Sequence, residues 1–193
     1  MMFKKVILTD CDGVLLDWEY AFETWMRTKG YVIMTREVYD QSERFGISKN
    51  KLRELIRDFN ESAMIGFLPS LRDSIQYVKA LHEEKGYIFH CITSLSNNRY
   101  AQELRTENLK KLFGKTVFDR FVYLDTGEDK DRALSEYRSS GCIWVEDKFE
   151  NAVVGELQGL QSILMEHRHN MVDLVGHKSI PRVKNWKEIY EMM

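Results

Sequence analysis

Short apolar runs alternate along this chain with segments of helical periodicity, and this alternation constrains the fold more than any other feature. The apolar runs are Lys5–Thr9, Tyr87–Thr93, Phe121–Leu124, Cys142–Glu146 and Gln161–Met165. Short runs of this kind, without polar alternation, are typical of parallel strands that are buried on both faces. They predict a sheet whose strands are parallel and covered on each side.

Helical patterns lie between the predicted strands. Apolar residues at near-helical spacing occur over 71–81, 101–112 and 133–137, and each pattern is followed by a glycine, at 86, 114 and 141 respectively. Residues 184–193 predict a short terminal helix. Because no hairpin signal joins the strands, the pattern predicts an α/β fold, a Rossmann-like three-layer α/β/α parallel sheet.

The segment 17–68 breaks this alternation, since it contains helical patterns and no convincing strand. A simple crossover between parallel strands has room for one helix and loops of about 2–6 residues. We therefore predict a core of residues 1–16 and 69–193 with a small inserted α-helical cap at 17–68. Gly13 and Pro69 mark the two connections, where a hinge is expected.

Composition excludes several classes of protein. The chain has 193 residues and a formal net charge of -2, which disfavours binding to polymeric nucleic acid. No apolar run approaches the ~20 residues of a membrane span, and the first apolar run ends at Asp10, too early for a signal peptide. We expect a cytoplasmic protein without a membrane partner. Its three cysteines lie in or beside the predicted strands, which predicts buried reduced thiols.

Polar residues follow several of the predicted strands where each strand ends. Asp10 and Asp12 follow the first strand, Thr93 and Ser94 end the second, and Glu146 and Asp147 end the fourth. Lys130 opens the helix before that fourth strand. Ligands of open parallel sheets bind at the carboxyl ends of the strands. Each signal alone has a structural explanation as a cap or turn, but together they predict one site.

These motifs, in this order, resemble the haloacid dehalogenase superfamily of phosphatases over essentially the whole chain. The resemblance implies that Asp10 is a covalent nucleophile, and that Asp12, Thr93 and Lys130 are also catalytic. It implies that Ser94 contacts the substrate, although asparagine is more usual in that family at this position. Asp12 favours phosphoryl transfer, because dehalogenases of the superfamily lack this second aspartate.

The acidic residues also predict a metal. Asp10, Asp12, Glu146 and Asp147 would place up to four negative charges beside a phosphomonoester that carries about two more. A hard divalent cation would relieve this repulsion, and oxygen-only ligands favour Mg²⁺ over zinc. We expect the Asp10 and Asp147 carboxylates and the Asp12 backbone carbonyl to hold it, with Glu146 binding directly or through water.

The substrate is less constrained by the sequence. Asp17-Trp18-Glu19 is locally similar to the 5'(3')-deoxyribonucleotidases, which implies that Trp18, and Phe22 one turn later, form a base pocket for a nucleoside 5'-monophosphate. The alternative interpretation is that both rings pack the cap. Other functions left open are a sugar-phosphate or other small-metabolite phosphatase, a polynucleotide 3'-phosphatase and a non-catalytic phosphate-binding protein.

Two further features are interpreted without a catalytic role. His167 and His169, with His177 beyond, are predicted to lie in a polar surface loop rather than in a metal site. Asn151, one helical turn after Asp147, is predicted to hydrogen-bond a metal-ligating carboxylate. Oligomeric state cannot be deduced from these patterns.

Overall fold

A computed structural model describes residues 5–35, 40–171 and 180–193. Within these ranges a six-stranded parallel sheet has the order β3-β2-β1-β4-β5-β6. Its strands are β1 (Val6–Thr9), β2 (Ile88–Ser94), β3 (Phe118–Leu124), β4 (Ile143–Glu146), β5 (Gln161–Met165) and β6 (Arg182–Val183). The predicted fold class, a parallel sheet between helical layers, is confirmed.

Helices flank this sheet and fill the segment between β1 and β2. They are α1 (Trp18–Thr28), α2 (Gln41–Phe45), α3 (Lys49–Asn60), α4 (Ser74–Glu83), α5 (Arg99–Phe113), α6 (Asp131–Ser135), α7 (Phe149–Leu157) and α8 (Trp186–Met192). Short 3-10 helices occur at Ala63–Phe67 and Arg168–Asn170. Side chains of Asp17, Ser48, Asn98 and Asn185 accept hydrogen bonds from the first turns of α1, α3, α5 and α8, which fixes where these helices begin.

The alternation of side chains along each strand explains why the sheet has a hydrophobic core on each of its two faces. Along β1, Ile7 and Leu8 are both fully buried, but they belong to different clusters on opposite faces of the sheet. Ile7 packs in the cluster that contains Trp186 of α8, whereas Leu8 packs with Trp144 and Leu134. Successive side chains of a strand point to opposite faces, so an unbroken apolar run buries both.

Some elements were not predicted from the pattern. Helix α7 and the two-residue strand β6 had no assignment, and β3 begins at Phe118, three residues before the predicted Phe121. Strand β3 lies at the edge of the sheet, and its residues 119 and 120 are exposed. An edge strand has one neighbour only, so it carries fewer apolar residues by which to recognise it.

The two connections to the helical segment 17–68 run side by side and are hydrogen-bonded to each other. The Asp17 amide donates to the Pro69 carbonyl at 2.9 Å, and the Leu71 amide donates to the Leu15 carbonyl at 2.8 Å. Beyond them, α1 and α3 bury an aromatic cluster formed by Trp18, Phe22, Trp25, Phe45 and Phe59. The segment thus has apolar contacts of its own.

Two other predictions concern composition. Cys11, Cys91 and Cys142 are buried and none is in a disulfide, as predicted. Among the residues that the structure describes, no helix is both long and apolar enough to cross a membrane.

Candidate active site

The acidic residues that follow β1 and β4 meet at the carboxyl edge of the sheet. These strands are neighbours, and the Asp10 amide extends their pairing by donating to the Val145 carbonyl at 2.9 Å. Carboxylate oxygens of Asp10, Glu146 and Asp147 all lie within 4.8 Å of one another. Parallel pairing therefore brings together side chains that are more than a hundred residues apart in sequence.

Lys130 lies between two of these carboxylates. Its Nζ is 2.8 Å from Asp10 Oδ2 and 2.7 Å from Glu146 Oε2, and all three side chains are buried. Burial alone would lower the pKa of Lys130, but the adjacent charges of Asp10 and Glu146 raise it above its usual value. The lysine is therefore a fixed positive charge in the site.

Glu146 has donors on both of its carboxylate oxygens. Oε1 accepts from the backbone amides of Asp147 and Lys148, each at 3.0 Å. Oε2 accepts from Lys130 and, at 3.2 Å, from Asn151 Nδ2. The residue is fully buried, and these four contacts direct both oxygens toward the protein.

Each oxygen of the Asp10 carboxylate has a hydrogen-bonding partner, and the side chain is buried away from water. Oδ1 accepts from the Cys11 amide at 2.6 Å, and Oδ2 faces Lys130. Burial raises the pKa of Asp10 to about 6, and Lys130 opposes that effect. A desolvated carboxylate is a stronger nucleophile once ionised, and it gains most from a nearby cation.

Asp12 forms a buried ion pair that the sequence analysis missed. Arg105 of α5 is fully buried, and its Nη1 lies 2.5 Å from Asp12 Oδ1. A signal was present, because Arg105 is four residues after Ala101 and four before Leu109, on the buried stripe of α5. Burial raises the pKa of Asp12, against the opposing effect of Arg105.

Gly13 allows the β1 loop to approach Asp147 closely. Its φ is 73°, in the left-handed region that favours glycine. A Cβ at this position would lie 2.3 Å from Asp147 Oδ2, so a side chain would displace that carboxylate. The glycine is therefore required for the two acidic loops to share one site.

The two hydroxyl residues at the end of β2 lie at the same edge with different surroundings. Thr93 is buried. Cys91, two residues before it on β2, pairs with Thr9 of β1, so the ends of the two strands lie side by side. The Ser94 hydroxyl donates to the Glu128 carbonyl at 2.8 Å. That contact ties β2 to the loop before Lys130, so in this conformation Ser94 organises the loop.

Trp18 and Phe22 lie in the aromatic cluster of the helical segment. Their rings stack at 4.8 Å, and the Phe22 ring also meets Phe59 edge to face. Phe22 has no exposed surface in this conformation, where its ring packs against its neighbours. Its contact with a substrate stays a prediction. Trp18 is half-buried and donates its indole N–H to Asn60 Oδ1 at 3.0 Å.

The histidines after β5 lie closer to the site than the surface-loop interpretation predicts. His167 Nε2 is 2.6 Å from the Gly13 carbonyl, and His169 Nε2 is 3.4 Å from Asp147 Oδ2. Both are half-buried, because β5 is next to β4 and its loop covers the same edge. His177 lies outside the described residues.

The donor set fits Mg²⁺. Asp10 and Asp147 offer carboxylate oxygens within reach of a common point, and hard oxygen donors suit this ion. The saturated contacts of Glu146 suit it better to orienting Lys130 and the Asp147 backbone than to direct ligation.

Comparison with solved structures shows the same fold. The chain is similar to a haloacid dehalogenase-like family hydrolase from Streptococcus pneumoniae (16% identity, 100% of this chain and 99% of that chain, TM-score 0.65). It is also similar to CbbY from Rhodobacter sphaeroides in complex with phosphate (18% identity, 96% of each chain, TM-score 0.61). A third similar structure is a dehalogenase with an intermediate complex (13% identity, 100% and 98%, TM-score 0.65).

No family sequence model matches the chain, and no curated protein matches it in sequence. The structural likeness therefore establishes a haloacid dehalogenase-like fold. That fold hosts both dehalogenases and proteins that bind phosphate. The reaction depends on the residues of the site and not on the fold.

Proposed function

We propose that this protein is a magnesium-dependent phosphohydrolase that acts on a small phosphomonoester, with Asp10 as its nucleophile. The observation that carries the proposal is the convergence of Asp10, Asp12, Lys130 and Asp147 at one edge of the sheet. A dehalogenase has no need of the second aspartate, and a phosphate-binding protein has no need of a buried nucleophile. Phosphatase-like chemistry accounts for all four residues.

In this proposal Asp10, Asp147 and the Asp12 backbone carbonyl would hold a Mg²⁺ ion. When bound, the ion offsets negative charge on the carboxylates and on the phosphoryl oxygens. Glu146 holds Lys130 beside Asp10. Lys130 keeps its positive charge at neutral pH, and it attracts the phosphoryl group toward the nucleophile.

The first step forms an aspartyl-phosphate. An oxygen of Asp10 attacks phosphorus as the bond from phosphorus to the leaving oxygen breaks. Asp12 gives its proton to the leaving alkoxide, which departs as an alcohol. The Thr93 hydroxyl and the backbone amides near Ser94 and Asp12 stabilise charge on the transferred oxygens.

The second step regenerates the enzyme. Asp12, now a carboxylate, takes a proton from a water molecule, whose oxygen attacks phosphorus. The bond between phosphorus and Asp10 breaks, and inorganic phosphate leaves. Positioned acid–base catalysis of this kind contributes on the order of 10²–10⁴-fold to the rate.

Residues 17–68 act in this proposal as the cap that closes the site. Asn60 donates to the Leu95 carbonyl at 3.0 Å, and the Ser96 hydroxyl donates to Glu61 Oε1 at 2.6 Å, so α3 and its end rest on the loop after β2. Asp10 is only 7% exposed in this arrangement. In this proposal these contacts open to admit the substrate.

The structure favours a small phosphomonoester without a dedicated base pocket over a nucleotide. Phe22 is fully buried. One face of the Trp18 ring stacks on Phe22, and its indole N–H donates to Asn60. A sugar phosphate or another small metabolite needs no base pocket, so it is the substrate class that this arrangement supports best. Hydrolysis of deoxynucleotides in marked preference to sugar phosphates would reverse this choice.

The test is release of phosphate from p-nitrophenyl phosphate and from a panel of nucleoside monophosphates and sugar phosphates, with Mg²⁺ and with a chelator. The wild type is expected to turn over in Mg²⁺ only. Asp10→Asn should abolish turnover while the protein keeps its circular dichroism spectrum and still unfolds cooperatively. Asp119→Asn, at an exposed position of β3, is the matched control and should keep full activity. Full activity of a folded Asp10→Asn variant would contradict the proposal.

A further inference from the structure

Arg105, in the protein interior, contacts both carboxylate oxygens of Asp12. Its Nη1 is 2.5 Å from Oδ1 and its Nη2 is 3.5 Å from Oδ2. The same Nη1 lies 2.9 Å from the Cys11 sulfur. Since each nitrogen faces a different oxygen, rotation of the carboxylate about its Cβ–Cγ bond would lengthen one of the two contacts.

The two partners differ in exposure. The Arg105 side chain is 0% exposed, whereas the Asp12 side chain is 22% exposed. Arg105 thus contacts Asp12 on its interior side, where solvent and substrate have no access. The remaining surface of Asp12 is the part of the carboxylate that is available to the site.

Stability alone does not favour an arginine at this position. Burying two charges costs free energy of desolvation that an apolar side chain of similar size would avoid. The cost is increased by Arg105 Nε, which is buried and has no hydrogen-bond partner among the described residues. Neighbouring positions on the same face of α5, Ala101 and Leu109, are apolar and buried, so the helix could pack without the charge.

Helix α5 also holds the other connection to the cap. Asn108, three residues after Arg105, donates from Nδ2 to the Leu68 carbonyl at 3.1 Å. The same face of α5 therefore fixes the loop that carries Asp12 and the segment that returns from the cap.

We infer that Arg105 is a positioning residue that acts through Asp12. It fixes the direction of the carboxylate that gives a proton to the leaving group and takes one from water. Arg105 itself touches neither substrate nor metal. The inference rests on the proposed function, because it gives Asp12 the acid–base role.

A double-mutant cycle tests this dependence. Turnover of p-nitrophenyl phosphate in Mg²⁺ is measured for the wild type, Arg105→Met, Asp12→Asn and the double variant. Misdirecting a catalytic group can cost ~100-fold, so Arg105→Met should lower kcat by about 10- to 100-fold with KM changed by less than about 3-fold. In the Asp12→Asn background the same change should lower kcat by less than about 2-fold, because the group it positions is gone.

Two further variants separate positioning from stability. Arg105→Lys keeps a charge but loses the two-point contact, so its kcat should lie between those of the wild type and Arg105→Met. It also gives a folded variant for the cycle if Arg105→Met does not fold. Arg44→Met removes another buried arginine, which pairs with Glu19 and Glu23 in the cap. It should lower the unfolding temperature while kcat, measured well below that temperature, stays within about 3-fold.

The outcomes are distinguishable. If the wild type is active but Arg105→Met lowers kcat equally with and without Asp12, or if Arg105→Met raises KM and leaves kcat unchanged, the positioning role is overturned. An equal loss of kcat in Arg44→Met would also overturn the positioning role. It would show that lower stability alone reduces kcat. A wild type that releases no nitrophenol with Mg²⁺ would overturn the proposed function, and this inference with it.

Discussion

The edge of the sheet and the interior of the cap differ in the contacts that predominate. At the edge, buried charges face one another: Lys130 contacts Asp10 and Glu146, and Arg105 contacts Asp12. In the cap, Phe22 lies among rings and has no exposed surface. The cap also contains one buried ion pair, between Arg44 and Glu23, but most of its interior is aromatic. Buried ion pairs add little net stability, whereas buried aromatic rings add much. The comparison indicates that the edge is arranged for chemistry and the cap interior for folding.

The largest effect on stability is expected inside the cap. Phe22→Ala removes a fully buried ring and should lower the free energy of unfolding by about 3–5 kcal/mol, measured by urea denaturation. Below its unfolding transition the variant should keep kcat within a few-fold of the wild type. Phe67→Ala, at an exposed position, is the matched control and should cost less than about 0.5 kcal/mol. A rise in KM confined to nucleotides would show instead that Phe22 contacts a base.

The next effect should appear at the edge and depend on pH. The pKa of Asp10 is raised from 3.8 to about 6 by burial, so in the folded state the residue keeps its proton over a range where the unfolded chain has lost it. Stability should therefore fall as pH rises from 4 to 6, and a shift of about 2 pKa units corresponds to about 3 kcal/mol.

The measurement is urea denaturation at pH 4 to 7 in a chelator, with Asp10→Asn for comparison. At pH 6 about half of the folded molecules still carry the proton, so the loss should be nearly complete only near pH 7, where the curve should level off. The variant lacks the titrating group, and its stability should change by less over this range. Equal pH dependence in both proteins would mean that desolvation of Asp10 is not the cause.

Mg²⁺ should stabilise the edge and leave the cap unaffected. At about 100 times its dissociation constant, a ligand that binds only the folded state adds about 2.7 kcal/mol, so the unfolding temperature should rise with Mg²⁺ concentration. Asp147→Asn removes one of the clustered carboxylates and should abolish most of that rise. Phe22→Ala should still show it, despite a lower starting temperature. A rise that survives Asp147→Asn would place the ion elsewhere.

The smallest effect is expected where the two regions meet. Trp18→Phe keeps an aromatic ring but removes the N–H that donates to Asn60, which should cost about 1 kcal/mol of unfolding free energy. The values of kcat and KM for sugar phosphates and nucleotides should change together or not at all. A selective loss of nucleotide binding would support the base-pocket interpretation. It would also show that a cap residue takes part in substrate binding.

Local patterns in the sequence were enough to predict much of this protein. The apolar runs predict the parallel sheet, because a strand buried on both faces needs no polar alternation. The positions of Asp10, Lys130 and Asp147 after their elements predict that they meet, because parallel strands end at one edge. Helix α7 and strand β6 were missed, the first for want of a clear stripe and the second because two residues carry no period.

Other features depend on which distant surfaces touch, and only the tertiary structure decides them. Arg105 lies 93 positions from Asp12, and no local rule pairs a helix arginine with a particular loop. His167 reaches the Gly13 carbonyl across 154 positions because β5 happens to lie beside β4. Whether Phe22 faced the site or the cap interior was undetermined, since one helical stripe can serve either surface. The sequence by itself determined most of the elements and the chemical groups at the strand ends, through short-range periodicity and strand direction. The packing of helices against the sheet, which depends on contacts far apart in the chain, decided which groups are partnered and which way they point.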